Sequence, residues 1–248
     1  IGHTGSGKST FVQHLNGLLH PTTGTVTVNG VDISASTEEA KKMRHKVGMV
    51  FQYPEHQLFE ETIAQDIAFG PKNLGLSADD VDERVRDAMK FVGLDYDTYA
   101  ERSPFHLSGG QMRRVAIAGV VAMNPDFLVL DEPSAGLDPF GREEIFEEII
   151  RLHKEKGITV ILVSHNMEDI SRMASRLVVL DKGRVVLDGE PMDIFNNHRD
   201  ELQAVGVDVP PVSVTMEYLR EQGFDVSNRV LSVDDAVQAI LEGGSHVK

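Results

Sequence analysis

The segment from Leu107 to Asp138 constrains the fold more than any other part of the chain. It reads LSGGQMRRVAIAGVVAMNPDFLVLDEPSAGLD. A Ser-Gly-Gly-Gln turn leads into an apolar helical run that stops at Asn-Pro, and residues 127–130 then predict a buried strand. Two carboxylates, Asp131 and Glu132, follow that strand directly. This order of helix, buried strand and carboxylates indicates an α/β sheet with polar groups at the end of a central strand.

A glycine-rich sequence at the start of the chain matches a phosphate-binding loop. Residues 2–9, GHTGSGKS, follow the pattern of Gly, four residues and Gly-Lys-Ser. The glycines let successive backbone N–H groups point into one concavity, and the following helix presents its positive end there. In this pattern Lys8 neutralises the β- and γ-phosphates and the Ser9 hydroxyl ligates Mg²⁺. The pattern makes Gly2, His3, Thr4, Gly5, Ser6, Gly7, Lys8 and Ser9 the candidate phosphate-binding residues, and Thr10 continues into the helix.

Composition and charge exclude several classes of protein. The 248 residues suffice for one large α/β domain, with or without a small appendage. The chain has no cysteine, which excludes a disulfide framework and Cys-containing zinc sites. The net charge is −15, and residues 52–106 alone carry 12 acidic against 5 basic side chains. This surplus argues against nucleic-acid binding, and it fits either simple solubility or a basic protein partner.

Two further features concern membranes and the start of the chain. The longest apolar runs, such as residues 115–123, are far shorter than the roughly 20 residues that a membrane-spanning helix needs. The chain begins with Ile1, directly before a loop that normally follows a strand. We therefore expect that further sequence precedes Ile1.

The central part of the chain predicts a second buried strand and a helical insertion. β-branched residues between turn signals predict an edge hairpin or a strand at 21–32. The apolar run 47–51 predicts a strand that ends at Gln52, whose amide either contacts Mg²⁺ or only meets solvent. Helices are expected near 62–68, before Gly70-Pro71, and from a cap at Ser77 to about residue 92.

The remaining chain predicts one more core strand, a hairpin and a helical tail. The run 158–163 ends at Ser164-His165. A histidine at a strand end is more often structural than catalytic, but the carboxyl ends of such strands are also where α/β sheets bind ligands. A hairpin is predicted over 177–187. After Gly189 the pattern predicts one short helical element at 191–202 and two later helices, with no visible chemistry.

Taken together, the motifs resemble one known family. GHTGSGKS, Gln52, LSGGQ, FLVLDE, SAGLD and Ser164-His165 occur in the order and approximate spacing of the nucleotide-binding subunits of ATP-binding-cassette (ABC) transporters, over residues 1–188. The sequence YPEHQLFEETIAQDIAFGPKNLGLS and the acidic C-terminal part resemble more closely the ATPases of energy-coupling factor transporters, which import vitamins and transition-metal ions. Among these the chain is most similar to the second of two paralogous ATPases.

The resemblance implies a fold and a division into domains. The fold expected is an α/β P-loop NTPase with a mainly parallel sheet core, an antiparallel β edge and a helical subdomain inserted at about 53–122. The nucleotide-binding domain would occupy residues 1–188. Residues 189–248 would form a small helical extension that stabilises a dimer. The family stacks adenine on an aromatic residue upstream of the P-loop, so no residue of this sequence is assigned to that role.

The resemblance also implies a role for each motif, and it assigns phosphate binding to residues Gly2 to Thr10. Glu132 would act as the base or water-orienting carboxylate, and His165 would contact the γ-phosphate. Mg²⁺ would be approached by Ser9 and Gln52 and supported by Asp131. A second set would act across a dimer interface, where two ATP molecules are sandwiched: Ser108, Gly109, Gly110 and Gln111 on the partner's γ-phosphate, and Asp138 in the D-loop. The isolated chain would therefore be a poor ATPase.

The partners implied are all proteins. They are a second ATPase (a paralogue or a second copy), a transmembrane coupling scaffold and a membrane component that binds the substrate, with the chain on the cytoplasmic face of the membrane. We expect Glu55, Glu60 or Glu61 to meet an arginine of the scaffold. The alternative is a soluble ABC ATPase acting in DNA repair or on the ribosome. The absence of a long heptad run, of cysteine and of a second cassette argues against that class.

Overall fold

The computed structural model describes residues 1–243, with the backbone alone at positions 54 and 55. The strands in this part are β1 (Thr27–Val28), β2 (Val31–Asp32), β3 (Val47–Val50), β4 (Phe127–Asp131), β5 (Thr159–Val163), β6 (Leu177–Asp181) and β7 (Arg184–Gly189). The helices are α1 (Lys8–Leu15), α2 (Glu38–Arg44), α3 (Ile63–Asn73), α4 (Ala78–Phe91), α5 (Tyr96–Tyr99), α6 (Gly109–Val121), α7 (Pro139–Lys156), α8 (Met167–Met173), α9 (Pro191–Asn197), α10 (Arg199–Ala204), α11 (Pro211–Glu221) and α12 (Val233–Gly243).

The chain divides into two compact units. One is Val12–Val163, and the other combines Ile1–Phe11 with the chain from Ser164 onward. None of the helices within residues 1–243 is long and apolar enough to cross a membrane. The parallel strands, antiparallel strands and helices confirm the predicted α/β class.

A three-stranded parallel sheet forms the centre of the unit Val12–Val163. Its strand order is β3-β4-β5, with Val50 opposite Leu130 and Asp131 opposite Val163. Residues 128–130 are fully buried, as expected of a parallel strand covered on both faces. Because neighbouring parallel strands run in the same direction, the residues that follow β3, β4 and β5 lie at one edge of this sheet. The predicted hairpin at 21–32 is confirmed as the short pair β1–β2.

The helices of the same unit pack beside this sheet. Helix α6 contacts α3, α4 and β3. At Gly48 of β3 an added Cβ would lie 2.4 Å from Val120 Cγ1, so only glycine allows this close approach of strand and helix. Helix α3 runs longer than predicted, because it continues through Gly70 and the buried Pro71 to Asn73. Tertiary packing of α3 on α6 outweighs the local preference of proline for a helix end.

The other unit contains the antiparallel pair β6–β7 and the helical tail. The Ile1 amino group donates to Val178 O at 2.8 Å, and Leu180 N donates to Ile1 O at 2.9 Å, so the first residue is joined to β6. The element predicted at 191–202 consists of two helices, because His198 leaves the helical conformation at φ −121°. Helices α11 and α12 enclose a small apolar cluster around Met216 and Val230.

Candidate functional site

The glycine-rich loop at residues 2–10, called the P-loop below, has a backbone conformation that residues with a side chain adopt only with strain. Gly2, Gly5 and Gly7 have φ values of 147°, 83° and 103°. These lie in the region that favours glycine. An added Cβ on Gly2 would lie 2.3 Å from Leu180 O. The loop ends in the first turn of α1, where Phe11 N donates to Gly7 O at 2.8 Å. Backbone N–H groups of the loop and the helix N-terminus therefore meet in one place, as anion binding requires.

The Lys8 side chain folds back over the P-loop. Its Nζ donates to Gly2 O at 2.7 Å and to His3 O at 3.0 Å. Ser6 is fully buried, and its Oγ has no hydrogen-bond partner within the described residues. A cation held against a concave backbone is suited to neutralising phosphate oxygens.

The turn between β6 and β7 supports the P-loop. His3 Nε2 lies 2.9 Å from Asp181 Oδ1, His3 Nδ1 lies 2.6 Å from Thr4 O, and Gly183 N donates to Ser6 O at 2.8 Å. Sequence reasoning identified this turn only as a hairpin. Its contact with the P-loop depends on pairing across most of the chain, so no local pattern could have revealed it.

His165 lies just beyond β5, where the sequence predicted it. Its ring is exposed, while its neighbour Ser164 is buried and accepts a hydrogen bond from Asn166 N at 3.0 Å. Asn166 in turn caps α8, accepting from the backbone N–H of Glu168 and Asp169. These contacts fix the backbone on both sides of His165.

The two carboxylates predicted at the end of β4 are both buried. Asp131 is the last residue of β4, and Glu132 follows with a φ of 52°, a left-handed conformation that is rare for a residue with a side chain. Glu132 N donates to Val163 O at 2.9 Å. Gln52 follows the adjacent strand β3 and is exposed. The parallel register therefore brings Gln52, Asp131 and Glu132 to the same edge of the sheet.

The Ser108–Gln111 turn, called the signature loop below, forms the N-terminus of α6. Ser108 Oγ accepts from Gln111 N at 3.3 Å, and Gln111 Oε1 accepts from Ser108 N at 3.1 Å, which completes a capping box. A Cβ added to Gly109 or Gly110 would meet nothing within 4 Å. Internal packing therefore does not require glycine at either position. Their small size instead leaves the positive end of α6 accessible.

Asp138 is the N-cap of α7, and its neighbours Leu137 and Gly141 line a cavity together with the signature loop. Its Oδ1 accepts from Gly141 N at 2.7 Å, so it caps α7, with Pro139 as the first helical residue. A cavity of about 290 Å³ lies between the starts of α6 and α7. It is lined by Ser108, Gly110, Gln111, Arg114, Leu137, Gly141, Glu144 and Ile145. The structure thus brings the signature loop and the start of the D-loop helix to one cavity.

Three charged residues of this unit were not singled out by sequence reasoning. Arg113 is buried and donates to Pro133 O and to Ala135 O. Arg114 pairs with Glu144 at 2.7 Å and with Glu148 at 3.4 Å. Burial raises the pKa of Glu148 from 4.5 to about 7, against the opposing effect of Arg114 and Arg151. Because arginine is common at exposed helix positions, the burial of Arg113 cannot be predicted from the sequence and becomes apparent only in the structure.

The segment after Gln52 is held in place by Asp66. The Asp66 carboxylate accepts from Phe59 N at 3.1 Å and from Glu60 N at 3.3 Å. Burial raises the pKa of Asp66, and these two hydrogen bonds partly offset that effect. Phe59 and Phe69 are both exposed and meet edge to face at 4.8 Å. The side chain of Glu55 lies outside the described residues.

The three predicted magnesium ligands fit that ion by their chemistry. A hydroxyl from Ser9, an amide from Gln52 and a carboxylate from Asp131 are all oxygen donors. Mg²⁺ prefers oxygen donors, and it is commonly held by one or two carboxylates together with substrate phosphates. Of the three, Asp131 at the end of β4 is buried, whereas Ser9 and Gln52 are exposed.

Comparison with known proteins gives a consistent result. The family model described as "ABC transporter" matches residues 1–135. The energy-coupling factor transporter ATP-binding protein EcfA2 of Clostridium tetani is 54% identical over 242 residues, covering 98% of this chain and 84% of that protein.

Two solved structures show the same fold. One is cbiO1 from Clostridium perfringens, described as part of the ABC transporter complex cbiONQ. Its TM-score is 0.72 at 37% identity, covering 88% of this chain and 85% of that one. The other is a dimeric post-hydrolysis state of the ATP-binding cassette MJ0796 bound to ADP and Pi. It has a TM-score of 0.66 at 29% identity, covering 76% of this chain and 82% of that one. The chain therefore belongs to the ABC transporter family of ATPases, and within it to the EcfA2-type ATP-binding subunits of energy-coupling factor transporters.

Proposed function

We propose that this chain hydrolyses ATP to power the uptake of a vitamin or a transition-metal ion through a membrane scaffold and a substrate-binding membrane component. The observation that carries the proposal is the N-terminus of α6. It is capped, rich in glycine and open to an adjacent cavity. A helix N-terminus of this kind can bind an anion that comes from outside the chain.

Within one ATP site, the P-loop binds the phosphates and Lys8 neutralises their charge. Ser9, Gln52 and Asp131 hold Mg²⁺, which when bound neutralises charge on the β- and γ-phosphate oxygens. Glu132 orients or deprotonates the attacking water, and His165 contacts the γ-phosphate. The backbone hydrogen bond from Glu132 N to Val163 O at 2.9 Å supports this role, because it holds the backbone of Glu132 at the sheet edge. Most of the rate gain in such a site comes from positioning and charge neutralisation.

The signature loop acts on a different nucleotide. Ser108, Gly109, Gly110 and Gln111 bind the γ-phosphate of ATP held by a second ATPase, and Asp138 faces that subunit across the interface. Two ATP molecules are thereby sandwiched between two subunits, and closure and opening of this sandwich drive the membrane partner.

The nucleotide-binding domain extends over residues 1–188 and contains the helical insertion at about 53–122. The extension after residue 188 stabilises the pair of subunits. Its last helix, α12, carries an exposed apolar stripe at Val233, Val237 and Leu241. Their spacing of four residues places them along one side of the helix, and an exposed stripe of this kind is typical of a protein contact.

The acidic surface near Gln52 docks the scaffold on the cytoplasmic side of the membrane. Glu60 and Glu61 lie beside the exposed Phe59–Phe69 pair. An apolar patch with acidic neighbours suits a partner helix that carries an arginine. The acidic balance of the chain excludes nucleic acid as the partner in this proposal.

Reconstitution with membrane partners tests this function. The chain is co-expressed with the membrane proteins that co-purify with it, placed in liposomes and supplied with ATP, and uptake of labelled vitamins and divalent metal ions is measured. We expect ATP-dependent uptake of one of them. Glu132→Gln should retain ATP binding and lose at least about a hundredfold in turnover and in uptake. Absence of any membrane partner, or unchanged turnover in Glu132→Gln, would contradict the proposal.

A further inference from the structure

Arg113 is buried in α6, two positions beyond the signature loop. Only 4% of the residue is exposed. Its guanidinium donates from Nη1 to Pro133 O and from Nη2 to Ala135 O, the latter at 2.9 Å. Burying a guanidinium is costly unless its N–H groups are satisfied. These two bonds offset part of that cost and join α6 to the segment of chain that accepts them.

The segment that accepts these bonds is the turn that carries Glu132. Ala135 N donates back to Glu132 O at 3.0 Å, so residues 132–135 form one hydrogen-bonded turn. Glu132 itself has a φ of 52°. A left-handed residue with a side chain persists only where its surroundings hold it in place. Arg113 supplies two of those restraints, and the position of the Glu132 carboxylate thus depends on the position of α6.

A second link joins α6 to the far side of the same loop. Arg114 pairs with Glu144 at 2.7 Å and with Glu148 at 3.4 Å, and both acids belong to α7, the helix that starts at Pro139. Helix α6 is therefore linked both to the turn that follows Glu132 and to α7, the helix that comes after the loop. A displacement of α6 is thereby transmitted to the chain on both sides of this loop.

We propose that Arg113 is a positioning residue that couples the signature loop to Glu132. When the signature loop engages the nucleotide of the partner subunit, α6 adopts its closed position, and Arg113 sets the turn 132–135 so that Glu132 is aligned on the nucleotide of its own chain. The rate at which one ATP is hydrolysed therefore depends on whether the other nucleotide site is occupied. This inference rests on the proposed roles of Glu132 and the signature loop.

The test compares Arg113→Lys and Arg113→Met in the full chain assembled with its partner ATPase. Lysine retains a donor for the two carbonyls, whereas methionine retains only the apolar stem. The matched control is Arg84→Met, because Arg84 is half-buried and also donates to a backbone carbonyl, Ala122 O at 3.2 Å, far along α6 from the signature loop. We expect Arg113→Met to lower kcat about tenfold or more with KM for ATP within about twofold, and Arg113→Lys to recover part of the loss.

A double variant distinguishes coupling between Ser108 and Arg113 from two independent structural roles. Paired with a hydrolysis-deficient partner ATPase, Ser108→Ala and Arg113→Lys each slow turnover of this chain's own ATP. If the two residues act through one path, the double variant is no slower than the slower single variant, whereas independent supports multiply their effects. A multiplied loss overturns the coupling, as does a kcat for both Arg113 variants equal to that of Arg84→Met.

Two outcomes need separate interpretation. If Arg113→Met does not fold, the test rests on Arg113→Lys. A lowered kcat of Arg113→Lys at unchanged KM then supports the proposal, and an unchanged kcat overturns it. If Glu132→Gln hydrolyses ATP normally in the otherwise unaltered chain, the proposed role of Glu132 is wrong. That result is independent of any Arg113 variant, so the two failures are distinguishable.

Discussion

At the residue scale, the structure separates carboxylates that face the sheet edge from carboxylates that are buried for other reasons. Asp131 ends β4 and Glu132 follows it, and the register of β4 with β3 brings both to the same sheet edge as Gln52. Glu148 lies on α7 and is buried as well, but only one of its oxygens pairs with Arg114, while Oε2 has no hydrogen-bond partner in the described part of the chain. The sequence indicated Asp131 and Glu132, because they stand at the end of a predicted buried strand. The burial of Glu148 depends on helix packing, which sequence alone does not show.

Glu148 makes the stability of the protein depend on pH. Burial raises the pKa of its carboxyl from 4.5 to about 7, so the folded state favours the protonated form. This contribution to stability is fully present below about pH 4.5 and is lost as pH rises through about 7. Glu148→Gln should therefore gain on the order of 2 kcal/mol relative to the original chain between pH 5 and pH 8.

Urea unfolding at both pH values measures this difference. Glu147→Gln on the same helix is the control, because Glu147 is exposed. A Glu148→Gln advantage that is the same at pH 5 and pH 8 would show that the buried carboxyl does not titrate in this range.

At the scale of elements, the sequence predicted the strands and most helices, because alternating or continuous apolar runs and capping residues are local signals. Helix α3 was predicted to stop before Gly70-Pro71, and its extension to Asn73 reflects contacts with α6. The pattern at 191–202 predicts one element and does not show the break at His198. The P-loop was fully predictable from its pattern, whereas its support by Asp181 and Gly183 depends on residues far apart in sequence.

The P-loop backbone gives an element-scale prediction. Gly2→Ala should abolish ATP binding, because its φ of 147° is strained for alanine and its Cβ would lie 2.3 Å from Leu180 O. Gly24→Ala is the matched control. It has a φ of 83°, and its Cβ would meet nothing within 4 Å, so it should cost about 1 kcal/mol of stability and leave binding unchanged. Titration with a fluorescent ATP analogue checks both. Equal affinity of the two variants would contradict the assigned role of the loop.

At the scale of the whole molecule, the motifs predicted candidate nucleotide-binding residues, and the proposed ATP sandwich divides their action between two chains. The capped start of α6 opens to a cavity that no P-loop residue lines. That arrangement supports the proposal that part of the segment Leu107–Asp138 acts on the nucleotide of a partner subunit. The partner itself has no signal in this sequence beyond surface charge and exposed apolar side chains.

Charge reversal tests the proposed scaffold contact. Glu60→Lys with Glu61→Lys should abolish uptake by the assembled transporter while the ATPase pair without membrane proteins keeps its turnover, because only the docking surface changes. Glu83→Lys with Asp87→Lys is the control, since both residues are exposed on α4 and the net charge changes equally. Normal uptake by the Glu60/Glu61 variant would remove these residues from the interface.

The ATP sandwich is tested most directly by the molar mass of the hydrolysis-deficient protein. Light scattering is recorded for Glu132→Gln mixed with its partner ATPase, with and without Mg-ATP, and again after Ser108→Arg is added to the same chain. We expect a one-to-one complex that forms only with ATP and is lost in the Ser108→Arg protein, although that protein still binds ATP. A complex that is indifferent to Ser108→Arg, or ATP binding with no change in mass, would contradict it.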